Sequence, residues 1–182
     1  MRLQEKYKKE ILPKLKAKFG YKNEMQAPRI TKVTINVGVG RNAKEKAYID
    51  EVVKSVARIA GQKPVETKAK KSIATFKVRQ GMIVGVMATL RGRRMYDFLE
   101  KLVNISFPRV RDFRGINQSQ VDRTGNLSVG FREHIVFPEI RADEVDNVHG
   151  LEICVATTAK TREEGLELLK LMGFPFKEET KK

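Results

Sequence analysis

Cations are the residues of this chain best placed to do chemistry. Lys68, Lys70, Lys71, Lys77 and Arg79 fall within TKAKKSIATFKVRQGM (residues 67–82), a stretch with no acid and with the apolar ring of Phe76 at its middle. An isolated charge run is ordinarily a solvated loop. In a strongly basic chain the same run is a docking surface for a polyanion. Covalent and metal chemistry find less support. His134 and His149 lie apart without metal-ligand spacing, and no H-x-E or C-x-x-C accompanies them. Cys154, the one cysteine, falls in a predicted strand with no neighbouring base and reads as a small core hydrophobe. Carboxylates gather in PEIRADEVD and in the last helix, where solvation or protein contact explains them better than acid–base work. No enzyme, cofactor or metal is expected.

One motif points elsewhere. GVGRNA, with Gly38, Gly40 and Ala43, matches the G-x-G-x-x-[GA] dinucleotide fingerprint, and Glu66 is a candidate ribose acid. A dinucleotide-binding enzyme needs further strand–helix–strand units on a parallel sheet, whereas the next strands here arrive by hairpin-like or irregular connections. The glycines are expected instead to make a tight strand-to-helix turn.

The charge is large and unevenly spread. The 182 residues carry 37 Lys+Arg against 22 Asp+Glu, a formal net charge of +15. Residues 1–114 hold 28 Lys+Arg and 10 Asp+Glu, a net of +18, while residues 115–182 hold 9 and 12, a net of −3. Two differently charged surfaces imply two kinds of partner. A single cysteine excludes a disulfide framework within the chain and fits a reducing compartment. The N-terminal MRLQEKYKKEILPK has no apolar stretch for a secretory signal, and the longest apolar run, MIVGVMATL, is too short for a bilayer. A cytoplasmic protein with no membrane partner is expected.

The elements that must position these residues follow from periodicity. Leu3, Tyr7, Ile11 and Leu15 recur at four-residue spacing in a basic helix, kinked near Pro13 and stopped at Gly20. In ITKVTINVGVG, Val33, Ile35, Val37 and Val39 alternate with Lys32, Thr34, Asn36 and Gly38, a strand buried on one side. Ile49, Val52, Val53, Val56 and Ala60 predict a helix ending at Gly61. A short extended piece at KPVETK leads into the basic segment. MIVGVMATLRG predicts a strand with Val84, Val86, Ala88 and Leu90 inward, and Met95, Phe98, Leu99, Leu102 and Val103 predict the next helix. Residues 104–149 are irregular apart from NLSVGF; GLEICVATTAK predicts a strand with Leu151, Ile153 and Val155 inward. Thr161 and Glu164 form a capping box for a last helix that closes at Gly173. The expectation is a single α+β domain over 1–182: a mostly antiparallel sheet with helices on one face and the other face open to RNA.

The open face carries Thr34, Asn36, Gly38, Gly85, Thr89, Ser128, Gly130, Ala156 and Thr158, with Lys32 and Arg91 at its margins. Small residues admit a bulky object, and short hydroxyls and amides both donate and accept. With no aromatic residue on this face, base stacking in the manner of an RNA-recognition motif is not expected. Such a surface suits the wide, shallow minor groove of A-form RNA, read by shape.

TKVTINVGVG, GQKPVETKAKKSIATFKVRQG, VMATLRGRRMYDFLEKLVNISFPRVRDFRG, FREHIVFPEI and GLEICVATTAKTREEGLELLKLMGFPF together resemble, in order and along essentially the whole chain, the bacterial 5S-rRNA-binding family of large-subunit ribosomal proteins. The resemblance implies a monomeric structural protein that holds 5S rRNA on its sheet in the central protuberance and helps attach it to the large rRNA. It implies Asn36, Gln62 and Thr89 as hydrogen-bonding residues beside Thr34, with Lys32, Lys63, Arg91 and Arg93 on phosphates. It also implies a mobile basic loop near 68–80, in which Lys68, Lys70, Lys71, Ser72, Phe76, Lys77 and Arg79 reach the peptidyl-site tRNA. An intersubunit bridge to a protein of the small-subunit head is implied at Glu139, Arg141, Asp143 and Glu144. A generic basic RNA chaperone is the alternative, and a dinucleotide-binding enzyme the remote one.

Overall fold

The computed structural model describes residues 2–43 and 45–177, apart from the side chains of Arg41 and Ala142. The chain is α+β, with a five-stranded antiparallel sheet whose strands are hydrogen-bonded in the order β2-β3-β1-β5-β4. The strands are β1 (Ile30–Gly38), β2 (Val65–Lys68), β3 (Ile83–Leu90), β4 (Leu127–Phe131) and β5 (Leu151–Thr157). By internal contacts the chain divides into two compact units, the first made of Met1–Val33, Arg91–Val129 and Cys154–Lys182, the second of Thr34–Leu90 and Gly130–Ile153.

In the first unit the N-terminal helix runs as α1 (Leu3–Lys6), a wide π-helical turn (Tyr7–Ile11) and α2 (Leu12–Phe19), and it buries Leu3, Tyr7, Ile11 and Leu15 as its spacing requires. The wide turn ends two residues before Pro13, whose ring would crowd a carbonyl one turn back, within that turn, and which has no N–H to donate. Widening the turn is how this helix accommodates its proline. The same device recurs where α4 (Gly92–Lys101) passes through a wide turn (Leu102–Ser106) into α5 (Phe107–Arg109), just ahead of Pro108. α1 packs on α4, and α2 packs on α6 (Arg162–Leu171). The cap of α6 forms as expected on one side, Thr161 Oγ1 accepting the Glu164 N–H at 3.3 Å. Glu164 in turn takes the Lys160 N–H at 2.8 Å and the Tyr21 hydroxyl at 2.6 Å. A cap and a tertiary tie thus share one carboxylate.

In the second unit α3 (Lys46–Ala60) lies against β3 and buries Ile49, Val52, Ser55, Val56, Ile59 and Ala60. Val53, expected on that stripe, is half-buried at its edge, and Ser55 and Ile59 complete it. Each aliphatic side chain removed from water on such a stripe contributes roughly 1.5–3 kcal/mol. β2 and β3 pair antiparallel, with Val65 opposite Met87 and Thr67 opposite Gly85. That pairing leaves the dinucleotide fingerprint without the parallel strand it needs. The glycine reading is corrected as well: Gly38 and Gly40 have no positive φ, and nothing lies within 4 Å of where a Cβ would stand. The turn there does not require glycine. Cys154 is also corrected, for alternation along β5 turns it away from the buried Leu151, Ile153 and Val155, half-exposed and 3.5 Å from Ser128 Oγ.

Candidate nucleic-acid interface

β1 and β3 build the centre of the open face within the second unit. Thr34 and Asn36 are half-buried opposite the side that carries Val33, Ile35 and Val37, and Thr89 is half-buried between the buried Ala88 and Leu90. The bond from the Val39 N–H to the Val84 carbonyl, 3.0 Å, sets a register that carries Thr34 toward the Thr89 end of β3. Gly85 makes this face flat. A Cβ there would lie 2.7 Å from Thr67 Oγ1 and 3.2 Å from the Val37 carbonyl oxygen, with Asn36 Oδ1 at 3.7 Å. The Thr67 hydroxyl and the Val37 carbonyl occupy the space a side chain would need, while Asn36 stands at ordinary contact distance.

Gln62 enters from outside the sheet. Gly61 ends α3 in the left-handed conformation, φ 65°, and the chain turns so that Gln62 Nε2 donates to the Thr89 carbonyl oxygen at 3.0 Å. Alternation cannot find a residue in a turn; the family resemblance supplied it. The Thr34 and Thr89 hydroxyls, the Asn36 side chain and the Gln62 amide oxygen make no hydrogen bond to other described residues. Lys63 follows Gln62, exposed. In the first unit, Lys32 continues the same alternation of β1 and is exposed, as are Arg91, directly after β3, and Arg93. Arg93 Nε stands 3.8 Å from Asp97 Oδ2, a solvated pair of little strength.

The basic segment has a fold of its own. Past β2 and β3 the chain narrows into a hairpin in which Ala69 N–H donates to the Met82 carbonyl at 2.8 Å, Ile73 N–H to Val78 at 2.9 Å and Val78 N–H to Ile73 at 3.2 Å. The tip closes with Lys77 N–H on the Ala74 carbonyl at 2.9 Å, and Lys77 takes the left-handed conformation at φ 53°. Ser72 Oγ accepts the Gln80 N–H at 2.9 Å, so its hydroxyl braces the hairpin. Lys68, Lys70, Lys71, Lys77 and Arg79 are exposed and form no ion pair with described residues. Phe76 is 72% exposed, an apolar ring held in water among cations.

The acidic segment contributes differently. Arg141, Asp143 and Glu144 are exposed and Glu139 is half-buried. Glu144 is already engaged: its Oε2 lies 2.7 Å from Arg58 Nη1 on α3 and its Oε1 3.7 Å from Arg141 Nη1. The hydrogen bond from Arg58 holds the Glu144 carboxyl below the usual carboxylate range.

His134 and His149, fifteen residues apart in an aperiodic segment, carry no spacing that signals their pairing. Their rings stack with centroids 3.9 Å apart and planes 4° from parallel, both buried. His149 Nε2 is 2.8 Å from Ser55 Oγ on α3, and the nearby Asn147 donates from Nδ2 to Glu51 Oε2 at 2.9 Å. Among the described residues no group of three His, Cys, Asp or Glu side chains is placed to hold a metal, so the pair is a clasp between residues 132–150 and α3. No helix among them is long and apolar enough to cross a membrane.

Residues 23–79 match the family model described as ribosomal protein L5, and residues 83–176 match the model of the C-terminus of that same ribosomal family. The large ribosomal subunit protein uL5 of Halothermothrix orenii is 57% identical over 174 residues, 96% of this chain and 97% of that protein. The uL5 proteins of Desulforapulum autotrophicum and Trichodesmium erythraeum are 55% and 53% identical, each over 175 residues, 96% of this chain, and over 98% and 97% of their own lengths. Two adjoining family models and relatives more than half identical along nearly their whole length show that the chain belongs to the ribosomal protein L5 family, uL5.

Proposed function

We propose that the open face of the sheet binds 5S rRNA and that the protein helps attach this RNA to the large rRNA. Family membership itself makes the chain a structural protein of the large ribosomal subunit, associated with rRNA and not an enzyme. In bacteria that subunit is cytoplasmic.

The finer reading rests on one observation: Thr34, Asn36, Gln62 and Thr89 present polar groups that no other described residue satisfies, on a face kept flat by Gly85. Short donors and acceptors of this kind reach 2′-hydroxyls and base edges across a shallow minor groove, while Lys32, Lys63, Arg91 and Arg93 take phosphates. In the same proposal the hairpin, with Lys68, Lys70, Lys71, Ser72, Phe76, Lys77 and Arg79, meets the peptidyl-site tRNA. The acidic segment, with Glu139, Arg141, Asp143 and Glu144, meets a protein of the small-subunit head. Off the ribosome the chain is a monomer in this reading.

The test is affinity for 5S rRNA and for an unrelated folded RNA of equal length over a salt series. Both affinities should fall with salt, by about 0.7–0.9 in log–log slope for each phosphate neutralised. A preference for 5S rRNA that persists at high salt supports recognition by the short polar groups. Equal binding that vanishes with salt would leave only a basic RNA chaperone.

A further inference from the structure

A cleft of about 1300 Å³ opens beneath the basic hairpin, entirely within the second unit. It exceeds the roughly 300–1,000 Å³ of a small-molecule site. Val39, Tyr48, Phe76, Val78, Met82 and Val84 make its lining largely apolar. Residues 148–150, also in its lining, are fastened to α3 by the bonds of Asn147 to Glu51 and of His149 to Ser55, so its shape does not depend on the hairpin alone. Lys70, Lys71 and Lys77 also line it, and none forms an ion pair with a described residue. Whatever covers this cleft must bring flat apolar surface and negative charge together.

An unpaired nucleotide has both, whereas a duplex hides its base faces. We propose that the cleft takes unpaired bases of RNA, stacked on Tyr48 and Phe76, with Lys70, Lys71 and Lys77 holding the phosphates on either side. This assignment rests on the reading of the hairpin as an RNA-contacting element and narrows it from phosphate contact to single-stranded nucleotides. Base–aromatic stacking with cations along the backbone is the general physics of such binding. Glu45 is the one acid in the lining; it repels phosphate but accepts from exocyclic base amines, which orients bases inward and backbone outward. The motif left over from the dinucleotide reading has a place here as well. Gly38 and Gly40 line the cleft with nothing within 4 Å of their Cβ positions, so bare backbone faces the incoming base.

The experiment measures anisotropy of labelled oligoadenylate and of a labelled RNA duplex, each titrated with the full chain, together with affinity for 5S rRNA. Phe76→Ala and Tyr48→Leu should each weaken oligoadenylate binding at least about fivefold and leave duplex and 5S affinity unchanged. Because Phe76 is exposed, its substitution reports even if the Tyr48 variant folds poorly. Lys70→Ala with Lys71→Ala should weaken oligoadenylate and lower its salt slope by about 0.7 per cation removed. If the lysine pair weakens single strand and duplex alike while the aromatic changes do nothing, the hairpin meets phosphates only; the inference falls and the hairpin reading stands. If neither pair of changes has an effect, both fall. A Phe-containing oligoglutamate that displaces oligoadenylate, binds more tightly and loses affinity with Phe76→Ala would assign the cleft to a protein and overturn the inference.

Discussion

Gln62 Nε2 donates to the main-chain carbonyl of Thr89 at 3.0 Å, so a turn residue and a strand residue form one polar unit on the open face. Because the acceptor is backbone, Thr89→Ala removes a hydroxyl without releasing Gln62. Asn36→Ala and Thr89→Ala should each weaken 5S rRNA binding by about 1–3 kcal/mol, the cost of leaving RNA groups unpaired. Gln62→Ala should do the same and also lower unfolding free energy by about 1 kcal/mol, having lost a bond inside the protein. Filter binding beside urea denaturation separates the two effects. Unchanged affinity in all three variants would remove the sheet face from binding.

The outward placement of Thr34, Asn36 and Thr89 is legible in the sequence because strand periodicity is local. Val33, Ile35 and Val37 are buried, and that alone turns Thr34 and Asn36 outward. Gln62 carries no such mark: its role depends on Gly61 turning the chain and on β3 lying alongside, which are tertiary facts. The stacked histidines are invisible for the same reason, being joined across a segment with no period. Pro13 implies an interrupted helix but not how the interruption is accommodated, since a kink and a widened turn serve equally, and the second wide turn, ahead of Pro108, is seen only in the structure. Cys154 reads as core by residue type, but the alternation of its own strand turns it to the other face.

Gly85 is the steric key to the face. An alanine Cβ would meet Thr67 Oγ1 at 2.7 Å and the Val37 carbonyl oxygen at 3.2 Å. Gly85→Ala should therefore cost about 1–3 kcal/mol of stability through overpacking. Adding Thr67→Ala clears the nearer clash but not the backbone one, so the double variant should recover only part of the loss. Full recovery would mean that Val37 yields freely; no loss at all in the single variant would show that β2 is not held at this register.

Lys77 occupies a left-handed conformation at the hairpin tip, φ 53°, at a cost of roughly 1–2 kcal/mol for an L-residue with a side chain. Lys77→Gly should relieve about 1 kcal/mol of this and slow amide exchange at Val78, whose N–H closes the hairpin on Ile73, by about fivefold. Lys77→Val should accelerate it, because a β-branched residue tolerates positive φ least. Identical exchange in all three proteins would show that this turn is not the one populated in solution.

The stacked histidines make stability depend on acid. Burial first, and then the nearness of His134, pushes His149 down to about 4, and burial lowers His134 as well. Both are neutral in the folded chain, while in the unfolded chain they take up protons near pH 6.5. Because the unfolded state binds more protons, the stability present above about pH 6.5 declines as pH falls toward the folded values. Glu51, held below the usual carboxylate range by Asn147 and the Asp146 backbone despite its burial, loses its own contribution only further down the acid limb. Urea unfolding at about pH 7.5 and about pH 5 should thus differ by about 2 kcal/mol, with the carboxylates still ionised over most of that span. Combined His134→Gln and His149→Gln should flatten the dependence, although loss of the stack lowers stability at both values. The Asn147 amide, which donates to Glu51 Oε1 at 3.2 Å, should lose exchange protection in step, because the clasp to α3 opens when either ring charges. A slope that survives in the double variant would place the titrating groups elsewhere and leave the stacked pair as packing alone.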